Sequence, residues 1–252
     1  LFSSSLAPIS VNAAMVIGNA GVHAGNITNG LVGWWTFDGG DMTSTVAFDK
    51  SGNSNHGSVV GATKSVGKVG QGLLFDGVND RVTVSDTPFD FGSGNFTVAA
   101  WVYPTTGVEG AVIAKDGISV VSAYYKLVSF SGQYQFLIYK NTGCSDAVVA
   151  TSPLAYPLKQ WQHAVGVRDG SGSIKLYVNG QLVAQTSGSA CGSLDSTYPL
   201  EIGVIRNSTN SWFPGKIDDA RVYSRALSAN EVYSLYQYGN AKINVSSQAV
   251  AN

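Results

Sequence analysis

Short runs of alternating apolar and polar residues, each cut off by Gly, Pro, Asn or Asp, recur from Gly30 to Tyr223. They constrain the fold more than any other feature of the chain. Phe96-Thr-Val-Ala-Ala-Trp-Val-Tyr103 stops at Pro104, and Arg81-Val-Thr-Val84 follows an Asp76-Gly77 turn. Period-two runs of this length read as half-buried strands. Ser173–Val178 and Gln181–Ala184 flank Asn179-Gly180, a two-residue hairpin signal because both turn positions tolerate positive φ. No helix-length pattern separates the runs, so no βαβ unit is expected. The spacing predicts an all-β, antiparallel two-sheet sandwich. A helix signal comes only after the last strand, where Ser228 stands as N-cap with Glu231 three residues on. This capping box predicts a short C-terminal helix.

The chain has 252 residues and is 44% hydrophobic, enough for one sandwich with a real core. Charged residues make up 12% and the net charge is -1, so no basic patch exists to neutralise the phosphates of a nucleic acid. Docking on an anionic membrane by charge is excluded on the same ground. No apolar run reaches the roughly 18 residues that a membrane-spanning helix needs.

Charge is also unevenly placed. The first charged residue is Asp38. Residues 1–29 therefore read as a separate, uncharged N-terminal arm, ahead of a domain over 30–239 and a tail over 240–252. An extended arm can add a strand to a groove of its own or a neighbouring subunit, and the tail offers a second such contact. Cys144 and Cys191 both lie in Gly/Ser-rich loops and predict a disulfide. Closing that loop stabilises by about 4 kcal/mol in the chain-entropy account. Glycosylation sequons at Asn26, Asn95, Asn207 and Asn244 fit an extracellular, surface-exposed protein.

Asp218 and Asp219 form a carboxylate pair on an apolar strand. Buried carboxylates need a partner, and a hard cation such as calcium is the natural one. Adjacent strand residues face opposite sides, which argues against an acid/nucleophile pair. The chain holds only Glu109, Glu201 and Glu231 as glutamates, and no strand carries two acids at alternate positions, as a glycosidase pair on one strand would require. His23, His56 and His163 share no metal-ligand spacing, and neither a nucleophile elbow nor a phosphate loop occurs. A catalytic role is not expected.

Six ordered segments carry a resemblance: LVGWWTFDGGD, AFDKSGNSNHGSVVG, KVGQGLLFDGVNDRVTV, FTVAAWVYP, WQHAVGVRDGSGSIKLYVNGQLV and GKIDDARVYSRALSANEV. Together they resemble the laminin G-like branch of the concanavalin A-like jelly-roll superfamily. The resemblance spans about residues 30–239 and implies two facing antiparallel sheets with a structural calcium ion near a sheet edge. The ligands it implies are Asp38, Gly77 and Asp218, with Asp76 and Asp219 as second choices. The residues alone also allow Asp218 to cap a turn and Asp76 to form an Asx-turn before Gly77.

Two roles remain. One is a structural or adhesive subunit that assembles into a filament or layer through residues 1–29, and this is the leading expectation. The other is a lectin-like module that binds a glycan or a surface protein. Tyr124, Tyr125, Tyr134, Tyr139, Tyr198 and Trp212 are the candidate platforms, since sugars stack on aromatic faces. Trp212, with Asn210 beside it in a polar loop, and Tyr198 are the foremost of these. Trp34, Trp35, Trp101 and Trp161 are expected in the core or at sheet edges.

Overall fold

The structure is a computed structural model, and it describes residues 27–117, 124–139, 147–170, 172–188, 193–206 and 211–246. Two eight-stranded antiparallel sheets face each other. The first sheet runs β14 (Gln181–Thr186), β13 (Ile174–Val178), β12 (Gln162–Arg168), β7 (Phe96–Pro104), β18 (Pro214–Tyr223), β5 (Gln71–Asp76) and β4 (Thr63–Val66), with β1 (Leu31–Trp35) also paired to β18. The second runs β11 (Val148–Thr151), β10 (Gln133–Tyr139), β9 (Tyr124–Phe130), β8 (Gly110–Lys115), β15 (Leu200–Ile202), β6 (Arg81–Val84), β3 (Gly57–Val60) and β2 (Val46–Ala47). A small ribbon of β16 (Val204–Ile205) and β17 (Ser211–Trp212) lies beside them. This is the antiparallel two-sheet sandwich that the strand pattern predicts, a jelly roll as the resemblance implies.

Alternation explains the packing. On β7, Phe96, Val98, Ala100 and Val102 enter the core between the sheets. Ala99 and Trp101 point the other way, toward the helix α1 (Ala229–Ser246). Facing them across the core, β10 contributes Tyr134, Phe136 and Ile138. Phe136 lies so close over Gly166 that a Cβ there would sit 2.2 Å from its ring. The Asn179-Gly180 hairpin forms as expected, with φ of 51° and 77°.

α1 is longer than the sequence signal implied. The capping box forms: Ser228 N donates to Glu231 Oε2 at 2.8 Å and Glu231 N to Ser228 Oγ at 3.3 Å. The helix then covers the outer face of the first sheet, where Val232 and Leu235 join Ala99, Val165, Val167 and Tyr223 in a second apolar cluster. It continues through residue 246, so 240–246 are helical and not the extended tail expected. At the other end, Ile27 packs against the same cluster, which moves the start of the folded part into the predicted arm. Residues 1–26, Asn26, Asn207, Asn210, Cys144 and Cys191 lie outside the described residues, as does the side chain of Asn244.

Candidate functional site

Two groups of side chains carry the chemistry, one on each sheet. The first is built on β18. Between Asp218 and Arg221 the ladder with β7 gains a residue, and Asp219 takes φ 50°. This is a β-bulge, which re-aims side chains. Asp218 and Asp219 consequently line one small pocket together with Trp34, Asp38 and Tyr238. The expectation from simple alternation, that the two carboxylates face opposite sides, is therefore corrected by the bulge.

The pocket's acids are mostly engaged. Asp218 is fully buried, and its Oδ2 accepts from Lys68 N and Val69 N, both at 2.8 Å. Asp38 Oδ1 accepts from Gln71 N at 2.7 Å. Both carboxylates thus clasp the β4–β5 hairpin. Glycine is required there, because a Cβ on Gly67 would lie 2.6 Å from Asp218 and one on Gly70 2.1 Å from Asp38. Asp219 accepts from Trp34 Nε1 and from Arg221 Nη2, which lies 3.0 Å from its Oδ2. The Arg221 guanidinium stacks 4.3 Å over the Trp34 ring. Among the described residues, Asp218 Oδ1 is buried with no hydrogen-bond partner. Burial, and after it the charge of Asp219, pushes the Asp218 carboxyl up to about 8.

That orphaned oxygen tests the expected cation. The donors are carboxylates, as a hard cation prefers, and the space of about 10 Å³ admits one ion or one water but no sugar ring. Asp38 and Asp218 could each offer an oxygen. Among the described residues no three His, Cys, Asp or Glu side chains converge as a ready metal group, so backbone and water oxygens would have to complete the shell. Gly77 is not brought there. It forms a turn with φ 80° against Pro214, and Pro214 lies four residues along β18 from Asp218, roughly 13 Å away. Asp76 makes the Asx-turn, accepting from Val78 N at 2.8 Å.

The second group lies on the outer face of the second sheet. Tyr124 and Tyr139 are cross-strand neighbours whose rings stack 5.0 Å apart at 13°. The Lys126 ammonium sits 4.5 Å from the Tyr124 ring centre and 2.8 Å from Asp116 Oδ2. Asp116 Oδ1 accepts from Gly117 N at 2.8 Å. Tyr198 lies flat against that glycine, where a Cβ would fall 1.9 Å from its ring. Burial, then the charge of Asp116, raises the Tyr124 phenol to about 12, so it stays a donor at neutral pH. Three half-buried tyrosines therefore share one face with Lys126, whose ammonium is held by the buried Asp116 carboxylate.

The remaining candidates separate. Tyr125 and Tyr134 face the core. Trp212 is half-buried on β17, paired with Val204, and Phe213 beside it is buried edge-on against Phe75. Phe213 packs over Gly110, the first residue of β8, whereas Tyr198 packs on Gly117, two residues past its end. The two glycines are seven positions apart along extended chain, roughly 20 Å, so Trp212 and Tyr198 do not form one site. Asn95 is exposed in the loop before β7. His163 packs between Trp101 and Tyr236, and burial pushes its imidazole down to about 3. No helix among the described residues is long and apolar enough to cross a membrane.

Residues 76–233, more than half of the chain, match the family model of the concanavalin A-like lectin/glucanases superfamily. Among solved structures, the chain is similar to the binding domain of Paraclostridial Mosquitocidal Protein 1, at 18% identity and a TM-score of 0.67, covering 84% of this chain and 53% of that one. It is similar to domain 4 of AbnA, an extracellular arabinanase from Geobacillus stearothermophilus solved with arabinotriose, at 21% identity and TM-score 0.66, covering 82% and 98%. The receptor-binding domain of botulinum neurotoxin D aligns at 15% identity and TM-score 0.65, covering 84% and 53%. The chain thus spans about half the length of the toxin domains it matches and nearly all of the arabinanase domain. A sialidase of Trypanosoma rangeli aligns as well, at 19% identity over 33% of its length.

Proposed function

Because the chain belongs to the concanavalin A-like lectin/glucanases superfamily, we propose that it works as a non-catalytic, lectin-like module that binds glycan on the outer face of its second sheet. The carrying observation is the stacked Tyr124–Tyr139 pair beside the Lys126–Asp116 ion pair. The apolar C–H face of a sugar ring stacks on the tyrosines. Its hydroxyls accept from Lys126 and exchange hydrogen bonds with the phenols, while the buried Asp116 fixes the lysine. The arabinanase domain solved with arabinotriose and the toxin binding domains support recognition over catalysis. So does the Asp218–Asp219 pocket, which is too small for a substrate ring.

In this reading Asp38 and Asp218 hold one calcium ion, which supplies the charge that Asp218 Oδ1 lacks and fixes the β4–β5 hairpin. The ion is structural and lies apart from the glycan. The site of action is extracellular, where glycans are displayed. The test is a glycan array with the intact chain and with Tyr139→Ala. Glycans bound by the wild type should lose about fivefold or more in affinity with Tyr139→Ala, taking about 1 kcal/mol, the lower end of the worth of base stacking on one ring, as the measure. A wild type that binds no glycan, or a variant that binds every glycan equally well, overturns the proposal.

A further inference from the structure

The outer face of the first sheet continues past the helix. Tyr236 and Gly239 of α1 lie on Trp101, whereas Tyr103, the next outward residue of β7, is only half-buried. Trp161, also half-buried, stands just before β12 with its ring 5.4 Å from that of Tyr103 at 58°. On the other side, Lys216 of β18 is the cross-strand partner of Tyr103, and its ammonium sits 5.4 Å from the Tyr103 ring centre. Leu74 of β5, paired in turn with Lys216, is 37% exposed. These side chains form one row across the sheet.

The row is rich in donors. The Trp161 indole N–H and the Tyr103 hydroxyl have no hydrogen-bond partner among the described residues, and neither belongs to the unpartnered atoms that burial shuts off from water. Lys216 Nζ makes a long bond of 3.4 Å to Val66 O and no ion pair among the described residues. Asp76, two residues along β5 from Leu74, turns its carboxylate back onto the amides of Val78 and Asn79. The Tyr124–Tyr139 face differs on this point, since Asp116 neutralises its lysine.

We propose that this row is a second saccharide site, selective for a sugar ring that carries a carboxylate. The tilt of the two aromatic rings makes a shallow cradle, which suits a puckered ring over a flat one, and the C–H face of the sugar packs there. The carboxylate accepts a charge-assisted bond from Lys216. Ring hydroxyls accept from Trp161 Nε1 and exchange bonds with Tyr103. An unmatched cation among donors favours an acceptor-rich, anionic ligand over its neutral counterpart. The site lies on the opposite sheet from Tyr124 and Tyr139 and does not depend on the reading of that face.

Methyl β-glucuronide, methyl β-glucoside and benzoate separate the ring from the charge. Each is titrated into the full chain and followed by NMR shifts of the backbone amides and the Trp161 indole N–H. The glucuronide should move that indole and the amides of residues 103, 161 and 216, and bind about threefold tighter than the glucoside, within the worth of one exposed ion pair. Lys216→Met keeps an apolar stem and should bring the two sugars together. Trp161→Ala should weaken both sugars about fivefold, with base stacking on one ring as the measure; should it fail to fold, Lys216→Met carries the test. Tyr139→Ala should leave these values unchanged, which separates a failure here from a failure of the Tyr124–Tyr139 site. Absent binding, or equal binding of glucuronide and glucoside by the wild type, overturns the proposal. So does benzoate bound as tightly as the glucuronide, or shifts that map to the Tyr124–Tyr139 face.

Discussion

Asp38 and Asp218 hold the same hairpin from two sides, Asp218 taking the amides of Lys68 and Val69 and Asp38 that of Gln71. The two acids lie 180 residues apart in sequence. The first prediction follows from the charge that this clasp buries.

Asp218 has its carboxyl raised to about 8 from 3.8, and His163 has its imidazole lowered to about 3 from 6.5. Between 3.8 and 8 the folded state keeps a proton on Asp218 that the unfolded state has released, so stability falls as pH rises. Between 3 and 6.5 the unfolded state carries a proton on His163 that the folded state lacks, so stability rises with pH. In calcium-free buffer these two groups cancel between about pH 4 and 6.5, and stability declines from 6.5 to 8. Asp218→Asn should abolish that decline. Denaturant titrations at pH 5, 6.5 and 8 check it, and a variant that declines as steeply as the wild type refutes it. Millimolar calcium should restore the wild type at pH 8 and leave the variant unmoved.

Gly239 lets α1 lie on the first sheet. A Cβ there would fall 2.3 Å from Trp101 Nε1. Gly239→Ala should lose about 1–3 kcal/mol, the cost of overpacking. Trp fluorescence should shift toward longer wavelengths as Trp101 gains solvent.

The helix start depends on Glu231, which receives Ser228 N and a pair of nitrogens from Arg225. Glu231→Gln should cost about 0.5–2 kcal/mol. The wild-type advantage should fade as pH falls from 4.5 toward 2, because the Arg225 bonds hold the carboxyl at about 2. Thermal melts of both proteins at pH 7 and pH 2.5 measure it: a constant difference contradicts the assignment.

Ile27 already packs against the helix cluster, and Leu31 N donates to Thr28 O at 3.3 Å. A chain starting at residue 27 should therefore keep its melting temperature within about 4 °C, equivalent to about 1–2 kcal/mol. It should also keep its glycan profile. Size-exclusion with light scattering on both chains reads the other expectation: assembly that vanishes with residues 1–26 would give the arm a structural role.

The strands were legible because alternation is a local signal. Phe96–Tyr103, the Asn179-Gly180 turn and the Ser228–Glu231 box needed no distant partner to be read. The pocket was half legible. Asp38 and Asp218 could be named, whereas the glycines they close on, Gly67 and Gly70, are marked only by carboxylates far away in sequence, and Gly77 lies in a separate turn against Pro214. Asp219 escaped the alternation rule because a bulge leaves no signature beyond an Asp, a residue that tolerates positive φ. The Tyr124–Tyr139 stack could not be separated from Tyr125 and Tyr134 by residue type, since inside and outside are fixed by register. The length of α1 was hidden by a tail whose mixed composition becomes helical only where Tyr236 and Gly239 meet Trp101.

The helix on the outer face of the first sheet gives the molecule a back and a front. Tyr124 and Tyr139 occupy the outward side of the opposite sheet. A carrier or support attached through α1 would hold the domain by its back and leave the tyrosine face turned outward. Orientation would then come from the scaffold itself, with no linker geometry to optimise.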